Sequence, residues 1–198
     1  MPAEVLTYFL KNSDRRVRLG FQVVLQCAPF LKGLKVSCGI TMDAELYEEL
    51  EELLSGMDIS YHKLSEADGR CLVLFYRPEE LREYLNRGGI RDLIREYGYA
   101  DMETNEMLGR LSRRVRECAE RGLGFPHEIG AFLGYPLSDV KGFIEHEGKD
   151  FLCSGYWKVY SDETGAKKTF QLYQAVRNMV LQMLSAGSSL CEISCQAY

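Results

Sequence analysis

The run FPHEIGAFLGYPLSDVKGFIEHEGKDFLCSGYWKVY, residues 125–160, holds the least generic residues of the chain and is the starting point for its fold. Pro126 predicts the start of a short helix, the Gly-Tyr-Pro sequence at 134–136 predicts a turn, and Ser138-Asp139 predict the cap of a second helix that ends near residue 148. Aromatic and β-branched residues over 153–160 predict a strand. The run therefore predicts two helices followed by a strand.

Apolar periodicity and turn residues predict further elements on both sides of this run. Pro29 is expected to end the helix over residues 16–28, and Asp43 is expected to cap the helix over residues 43–54. Asp68-Gly69 predict a tight turn between two strands, of which CLVLFY at 71–76 is apolar enough to lie in the middle of a sheet. Helices are expected over residues 4–12, 16–28, 43–54, 78–85, 90–97, 105–121 and 163–184, and strands over 35–40, 59–64 and 71–76.

These elements predict the fold class. The 198 residues, 46% of them apolar, are enough for one domain with a sizeable core, and no linker or repeat suggests a second one. We expect a single α+β domain in which a small mixed or antiparallel sheet of about four strands packs with several helices. The tail, residues 185–198, has no clear pattern and is expected to be flexible.

Charge and cysteine content favour some function classes over others. The formal net charge of −5 disfavours nucleic acid as a partner. The sequence has no secretory signal pattern and no apolar run of roughly 18 residues, so we expect a cytoplasmic protein with no membrane partner. The seven cysteines are not set at metal-ligand spacing, which favours reduced thiols in the core, although Cys191 and Cys195 lie close together.

The central run also supplies the candidate ligand site. His127 and Glu128 could provide an acid, a base or a ligand at the start of a helix, and tyrosines add aromatic rings with polar ends. If 153–160 is a strand, alternate side chains share a face, which places Tyr156 and Lys158 together. We expect a site formed by His127, Glu128, Tyr135, Tyr156 and Lys158. No catalytic triad, phosphate-binding glycine loop or zinc motif accompanies it.

Two other stretches allow alternative interpretations. The helix over 105–121 carries several arginines, among them Arg110, Arg113 and Arg114, which could dock an acidic protein. Its glutamates favour an ordinary solvated surface instead. The two helices of the central run resemble a helix-turn-helix, but the second is acidic and therefore poorly suited to DNA.

Several segments spread over the chain form a recognisable set: CAPFLKGLK (27–35), CLVLFYR (71–77), FPHEIG (125–130), FLGYP (132–136), DV (139–140), GFI (142–144) and GYWKVY (155–160). With these segments the chain resembles an uncharacterised family, domain of unknown function 3793, found in anaerobic Firmicutes. The resemblance covers nearly the whole sequence and departs at Phe30, where the family usually has threonine.

The resemblance implies no established activity. Members of the family accompany flavodoxin and ferrous-iron transport proteins, which implies an accessory role linked to redox or iron metabolism. The leading hypothesis is therefore a non-catalytic accessory or binding protein that docks a flavodoxin-like partner or an iron or haem species. Cys27 could supply a thiolate to haem, although its position favours a buried structural cysteine. The alternatives are an enzyme that uses His127 or Glu128 as acid or base, and a helix-turn-helix-like nucleic-acid binder.

Overall fold

The structure, a computed structural model, describes residues 12–195. These residues group into two compact units, one formed by 12–77 with 173–195 and the other by 78–172. The α+β class is confirmed, while the single domain stays a prediction. The helix expected over 4–12 lies outside the described residues, except for Asn12. No helix within 12–195 combines the length and the apolar character needed to cross a membrane.

The first unit begins with helix α1 (Arg15–Leu31), whose inner face forms much of that unit's core. Asp14 caps it, because its carboxylate accepts the N–H of Arg16 at 2.8 Å. The expected end at residue 28 is wrong. Pro29 lies inside the last turn, because a proline removes only its own donor, and the N–H of Lys32 still reaches the Ala28 carbonyl at 3.1 Å.

An antiparallel sheet packs in the same unit. Its strands are β1 (Ser37–Asp43), β2 (Ser60–Ala67) and β3 (Arg70–Tyr76), in the order β1-β3-β2. Strand β3 is central, as its continuous apolar run predicts. Asp68 and Gly69 both have positive φ, 50° and 72°, which confirms the tight turn between β2 and β3.

The glutamate-rich helix expected over 43–54 is wrong as a single α-helix. Residues Ala44–Glu49 form a 3₁₀ helix, and only Leu50–Leu53 (α2) are α-helical. Asp43 was the expected cap, but its carboxylate instead accepts a hydrogen bond from Arg70 at 2.7 Å across the β1–β3 pair. The first turn therefore lacks a side-chain cap and winds more tightly.

The second unit is mainly helical at its start. Its first helices are α3 (Pro78–Leu85), α4 (Gly88–Glu96) and α5 (Thr104–Glu120), which confirm three predicted helices within a few residues. Helix α5 begins with a capping box, in which the Glu106 carboxylate accepts the N–H of Glu103 at 2.9 Å. This anchors the helix that carries the arginines of the expected docking surface.

The central run forms the helices α6 (Ile129–Phe132) and α7 (Leu137–Glu145). Helix α6 is a single turn, so the longer helix expected from Pro126 is wrong. The expected cap at Ser138-Asp139 is also wrong, because α7 starts at Leu137 and no side chain caps it. The Asp139 carboxylate faces inward and binds the segment 157–161 instead.

The strand expected over 153–160 is wrong as one continuous strand. It is a small hairpin of β4 (Cys153–Ser154) and β5 (Lys158–Val159), with residues 155–157 in the turn. Gly155 lets Phe170 pack against this turn, because a Cβ atom there would overlap the Phe170 ring. Tyr156 therefore does not alternate with Lys158 along a strand.

Two helices complete the chain. Helix α8 (Glu163–Ser185) begins in the second unit, and its residues from Tyr173 onward belong to the first. Helix α9 (Leu190–Cys195) lies in the tail that was expected to be flexible. The buried ammonium of Lys32 donates a hydrogen bond to the Ile193 carbonyl at 2.8 Å, and burial lowers its pKa. This bond ties α9 to the end of α1.

Candidate functional site

The carboxylate of Glu128 points into the second unit. Its side chain is completely buried just before α6. Arg114 of α5 binds both carboxylate oxygens, through Nε to Oε1 and through Nη2 to Oε2 at 3.2 Å. The hydroxyl of Tyr99 donates a further hydrogen bond to Oε1 at 3.0 Å. The result is a two-pronged arginine–carboxylate pair with a tyrosine donor.

The electrostatics of this group stabilise the ion pair. The bonds to Glu128 raise the pKa of Arg114 above its ordinary value. Burial raises the pKa of Tyr99, and the nearby Glu128 carboxylate raises it further. Arg114 and Tyr99 therefore keep their protons and donate them as hydrogen bonds to the carboxylate. A carboxylate held in this way suits a structural role better than proton transfer with a substrate.

Arg110 is also engaged inside the second unit. Its Nε and Nη2 donate to the Tyr97 carbonyl at 3.1 and 2.8 Å, and its guanidinium lies 5.3 Å from the centre of the Tyr99 ring. Gly98, at a φ of +82°, leaves the space that this guanidinium occupies. Of the three arginines expected to dock a partner, Arg110 and Arg114 thus have internal partners, whereas Arg113 is exposed.

His127 and Lys158 approach the same phenylalanine, although they belong to different elements. The exposed His127 ring meets the edge of Phe143 of α7 at 5.6 Å between ring centres. The ammonium of Lys158 in β5 lies 5.7 Å from the centre of Phe143 and 5.0 Å from that of Phe151. It also donates a hydrogen bond to the Gly148 carbonyl at 2.8 Å. We call His127, Phe143, Phe151 and Lys158 the aromatic surface.

Exposed apolar side chains flank the aromatic surface in the sequence. Phe125, two residues before His127, is 57% exposed, and Phe151 and Leu152 are 41% and 54% exposed. Leu123, at 65%, belongs to the same stretch. Large exposed apolar side chains cost solvation free energy when they cluster, so a cluster of them commonly marks an interaction surface.

Tyr135 and Tyr156 belong to a second aromatic group. Tyr135 lies 5.7 Å from Trp157, Trp157 lies 4.6 Å edge-on from Phe170 of α8, and Tyr156 lies 5.7 Å from Phe170, all between ring centres. Asp139 fixes this group, because its Oδ2 accepts the Trp157 indole N–H at 2.7 Å. The same carboxylate accepts the backbone N–H groups of residues 160 and 161 through Oδ1.

The five residues expected to form one site therefore contact three different groups. His127 and Lys158 share Phe143, Tyr135 and Tyr156 share the Trp157 group, and Glu128 pairs with Arg114. Sequence reasoning missed Phe143 and Phe151. For Phe151 the available signal was the turn-type sequence Gly-Lys-Asp at 148–150, which predicts a loop just before it.

One hollow in the second unit, lined by Asn86 and by residues of α4, α5 and the loop between them, measures about 50 Å³, whereas small-molecule pockets measure roughly 300–1,000 Å³. Within residues 12–195, no three His, Cys, Asp or Glu side chains converge as metal ligands would. Cys27, the candidate haem ligand, has a fully buried side chain, and burial raises the pKa of its thiol.

Comparison with known proteins gives a family and no activity. The family model described as "Protein of unknown function (DUF3793)" matches residues 23–194, which include the second half of α1, the sheet, the aromatic surface and most of α9. The chain belongs to the DUF3793 family. No curated protein and no solved structure matches it. The resemblance inferred from the sequence is thus confirmed, and the function of this DUF3793 member has to be argued from its own residues.

Proposed function

We propose that this DUF3793 member is a non-catalytic binding protein that docks an acidic, apolar segment of a partner protein on the aromatic surface. The observation that carries the proposal is the position of Lys158, a cation within 6 Å of the centres of two phenylalanine rings and with no carboxylate partner in residues 12–195. The exposed side chain of Phe151, one of these two residues, and that of the next residue, Leu152, supply apolar contacts.

The apolar part of the surface offers anchors for a short protein segment. A phenylalanine side chain buries 150–250 Å², so the 41% of Phe151 that is exposed amounts to roughly 60–100 Å² of apolar area. Leu152, the next residue, is 54% exposed and adds to this area. A short segment with one or two apolar anchors fits a surface of this size.

The charge of Lys158 selects the partner. An ammonium group has three donors, and Lys158 gives one of them to the Gly148 carbonyl. Two donors remain for an incoming carboxylate, and the neighbouring rings exclude water and strengthen the attraction. An acidic side chain beside an apolar one on the partner would satisfy both the cation and the phenylalanines.

An acidic protein such as a flavodoxin has the required charge, and the family resemblance suggests this partner together with a link to redox or iron metabolism. Arg113 of α5 is exposed in the same unit and supports docking of an acidic protein, whereas Arg110 and Arg114 contribute through the fold. A cytoplasmic location is part of the proposal. Its support is the set of free cysteines, since reduced thiols are typical of that compartment.

An array of short peptides tests the proposal. Each peptide carries a glutamate beside leucine or phenylalanine, and each has a matched peptide with glutamine. We expect the protein to bind glutamate peptides in preference, more weakly at high salt. Lys158→Gln should weaken binding about tenfold, the effect of losing one charge-assisted contact of roughly 1.5 kcal/mol. Phe151→Ser should weaken it as well.

Lys168→Gln is the matched control, because Lys168 is an exposed lysine of α8 in the same unit and should bind peptides as the wild type does. The proposal fails if glutamate and glutamine peptides bind equally, if none binds, or if Lys158→Gln behaves like the control.

A further inference from the structure

The ammonium of Lys158 lies close to two aromatic rings and to the backbone at residue 148. Its Nζ is 5.0 Å from the centre of the Phe151 ring and donates to the Gly148 carbonyl at 2.8 Å. A Cβ atom built on Gly148 would lie 3.0 Å from the Phe143 ring and 3.6 Å from this Nζ, so the glycine packs against both groups. A carboxylate oxygen bound to Nζ at about 2.8 Å therefore lies within roughly 8 Å of the Phe151 ring centre.

This short spacing restricts how a partner segment can present its charge. In an extended segment, adjacent side chains point to opposite faces, and side chains on the same face are separated by about 6.6–6.8 Å along the chain. The last residue of a chain, in contrast, carries its α-carboxylate and its side chain on the same Cα atom. A single C-terminal apolar residue can therefore reach the ammonium and a ring at once.

Backbone donors adjoin the same cation. The N–H groups of Asp150 and Phe151 have no hydrogen-bond acceptor among residues 12–195, and Asp150 has a positive φ of 55°. Exposed backbone N–H groups near a cation are a known way for proteins to bind a terminal carboxylate. Because these two N–H groups belong to Phe151 and to the residue before it, they supply donors for the second carboxylate oxygen.

The charges of the loop favour a ligand with one carboxylate. The Glu147 carboxylate lies 3.8 Å from the ammonium of Lys149, so these two charges offset each other. Asp150 is exposed, and its negative charge repels a segment that carries several acidic residues. A segment whose only negative charge is its terminal carboxylate keeps this repulsion small.

We propose that the segment bound on the aromatic surface is the C-terminus of a partner protein, with an apolar last residue whose α-carboxylate binds Lys158. This inference rests on the proposed function and narrows it to one kind of acidic group. The side chain of that last residue contacts Phe151 and Leu152, which are 41% and 54% exposed. Leucine and phenylalanine fit this contact, because they bury more apolar area than smaller side chains do.

Four N-terminally acetylated peptides of equal length test the inference on the full-length protein by isothermal titration calorimetry. The first ends in leucine with a free carboxylate, and the second is its C-terminal amide. The third ends in glycine with a free carboxylate, and the fourth is an amide with an internal glutamate beside leucine. We expect the leucine acid to bind about tenfold more tightly than each of the other three, because it alone combines the terminal carboxylate with the apolar contact.

Two substitutions separate the carboxylate contact from the apolar contact. Lys158→Gln should remove the preference for the leucine acid over its amide. Phe151→Ser should reduce the preference for leucine over glycine and leave the preference for the acid in place. Lys168→Gln, an exposed lysine of α8, is the matched control and should keep both preferences.

Equal binding of the leucine acid and its amide would overturn the inference. An acid preference that Lys158→Gln leaves unchanged would also overturn it, because the carboxylate would then bind elsewhere. If the acid and the amide bind alike while the internal glutamate peptide binds more tightly than its glutamine counterpart, the proposed function stands and only this inference fails. If no peptide binds, both fail.

Discussion

Replacing Glu128 with alanine should destabilise the protein strongly, because this carboxylate is the anion of a buried ion pair. Losing one partner of such a pair costs about 3–5 kcal/mol when the other charge stays buried. Arg114 is 29% exposed, so its guanidinium can turn toward water, which favours the lower end of that range. Tyr99 loses its acceptor, at about 1 kcal/mol. We expect a total loss of about 3–4 kcal/mol in the free energy of unfolding.

Urea unfolding followed by far-ultraviolet circular dichroism measures this loss. Glu120→Ala is the control, since Glu120 is an exposed glutamate of α5 and its loss should change stability by no more than about 0.5 kcal/mol. The double variant with Arg114→Ala should lose less than the two single variants together, because each already breaks the same pair. A loss below about 1 kcal/mol for Glu128→Ala would refute the structural role of Glu128.

Three further predictions concern the second unit. Asp139→Asn places an amide donor among N–H donors, so it should lower the free energy of unfolding by about 2 kcal/mol. It should also shift the fluorescence emission of Trp157, the single tryptophan, to longer wavelength. Unchanged emission would contradict this prediction. Gly142→Ala should destabilise the protein by about 1–3 kcal/mol in urea unfolding, because the added Cβ would overlap the Tyr160 side chain. Gly109→Ala, on the open side of α5, should instead stabilise it by about 0.5–1 kcal/mol. Equal effects of the two substitutions would oppose this account. Tyr99 has a raised pKa in the folded state, so its contribution to stability is complete below pH 10 and is lost as the pH rises from 10 toward that pKa. In Tyr99→Phe the free energy of unfolding should therefore fall less steeply above pH 10. An unchanged slope would argue against the raised pKa.

Much of the fold could be predicted because local patterns set it. The apolar run of β3, the turn at Asp68-Gly69 and the long helices α5 and α8 follow from periodicity and turn chemistry, and the structure has all of them. The errors occur where a side chain has a distant partner. Asp139 at the start of α7 has the sequence of a helix cap, yet its carboxylate binds N–H groups about 20 residues later.

The candidate site was harder to predict for the same reason. Glu128 and Arg114 are attractive as functional residues because they are charged, and sequence spacing does not show that they neutralise each other. Tyr156 and Lys158 are separated because the chain turns at residues 155–157, where Gly155 leaves room for the Phe170 ring, and a strand pattern does not reveal this turn. His127 and Lys158 both lie near the ring of Phe143, a residue whose role becomes visible only when α7 and β5 are placed in space.

The central claim is that the cation of Lys158 and the phenylalanines beside it bind an acidic, apolar segment. The most direct measurement is nuclear magnetic resonance of the lysine side-chain amines and aromatic rings during titration with the preferred glutamate peptide. The account predicts that the signals of Lys158, Phe143 and Phe151 shift together and saturate, while that of Lys168 stays in place. Saturating shifts elsewhere with these three signals unmoved would contradict it.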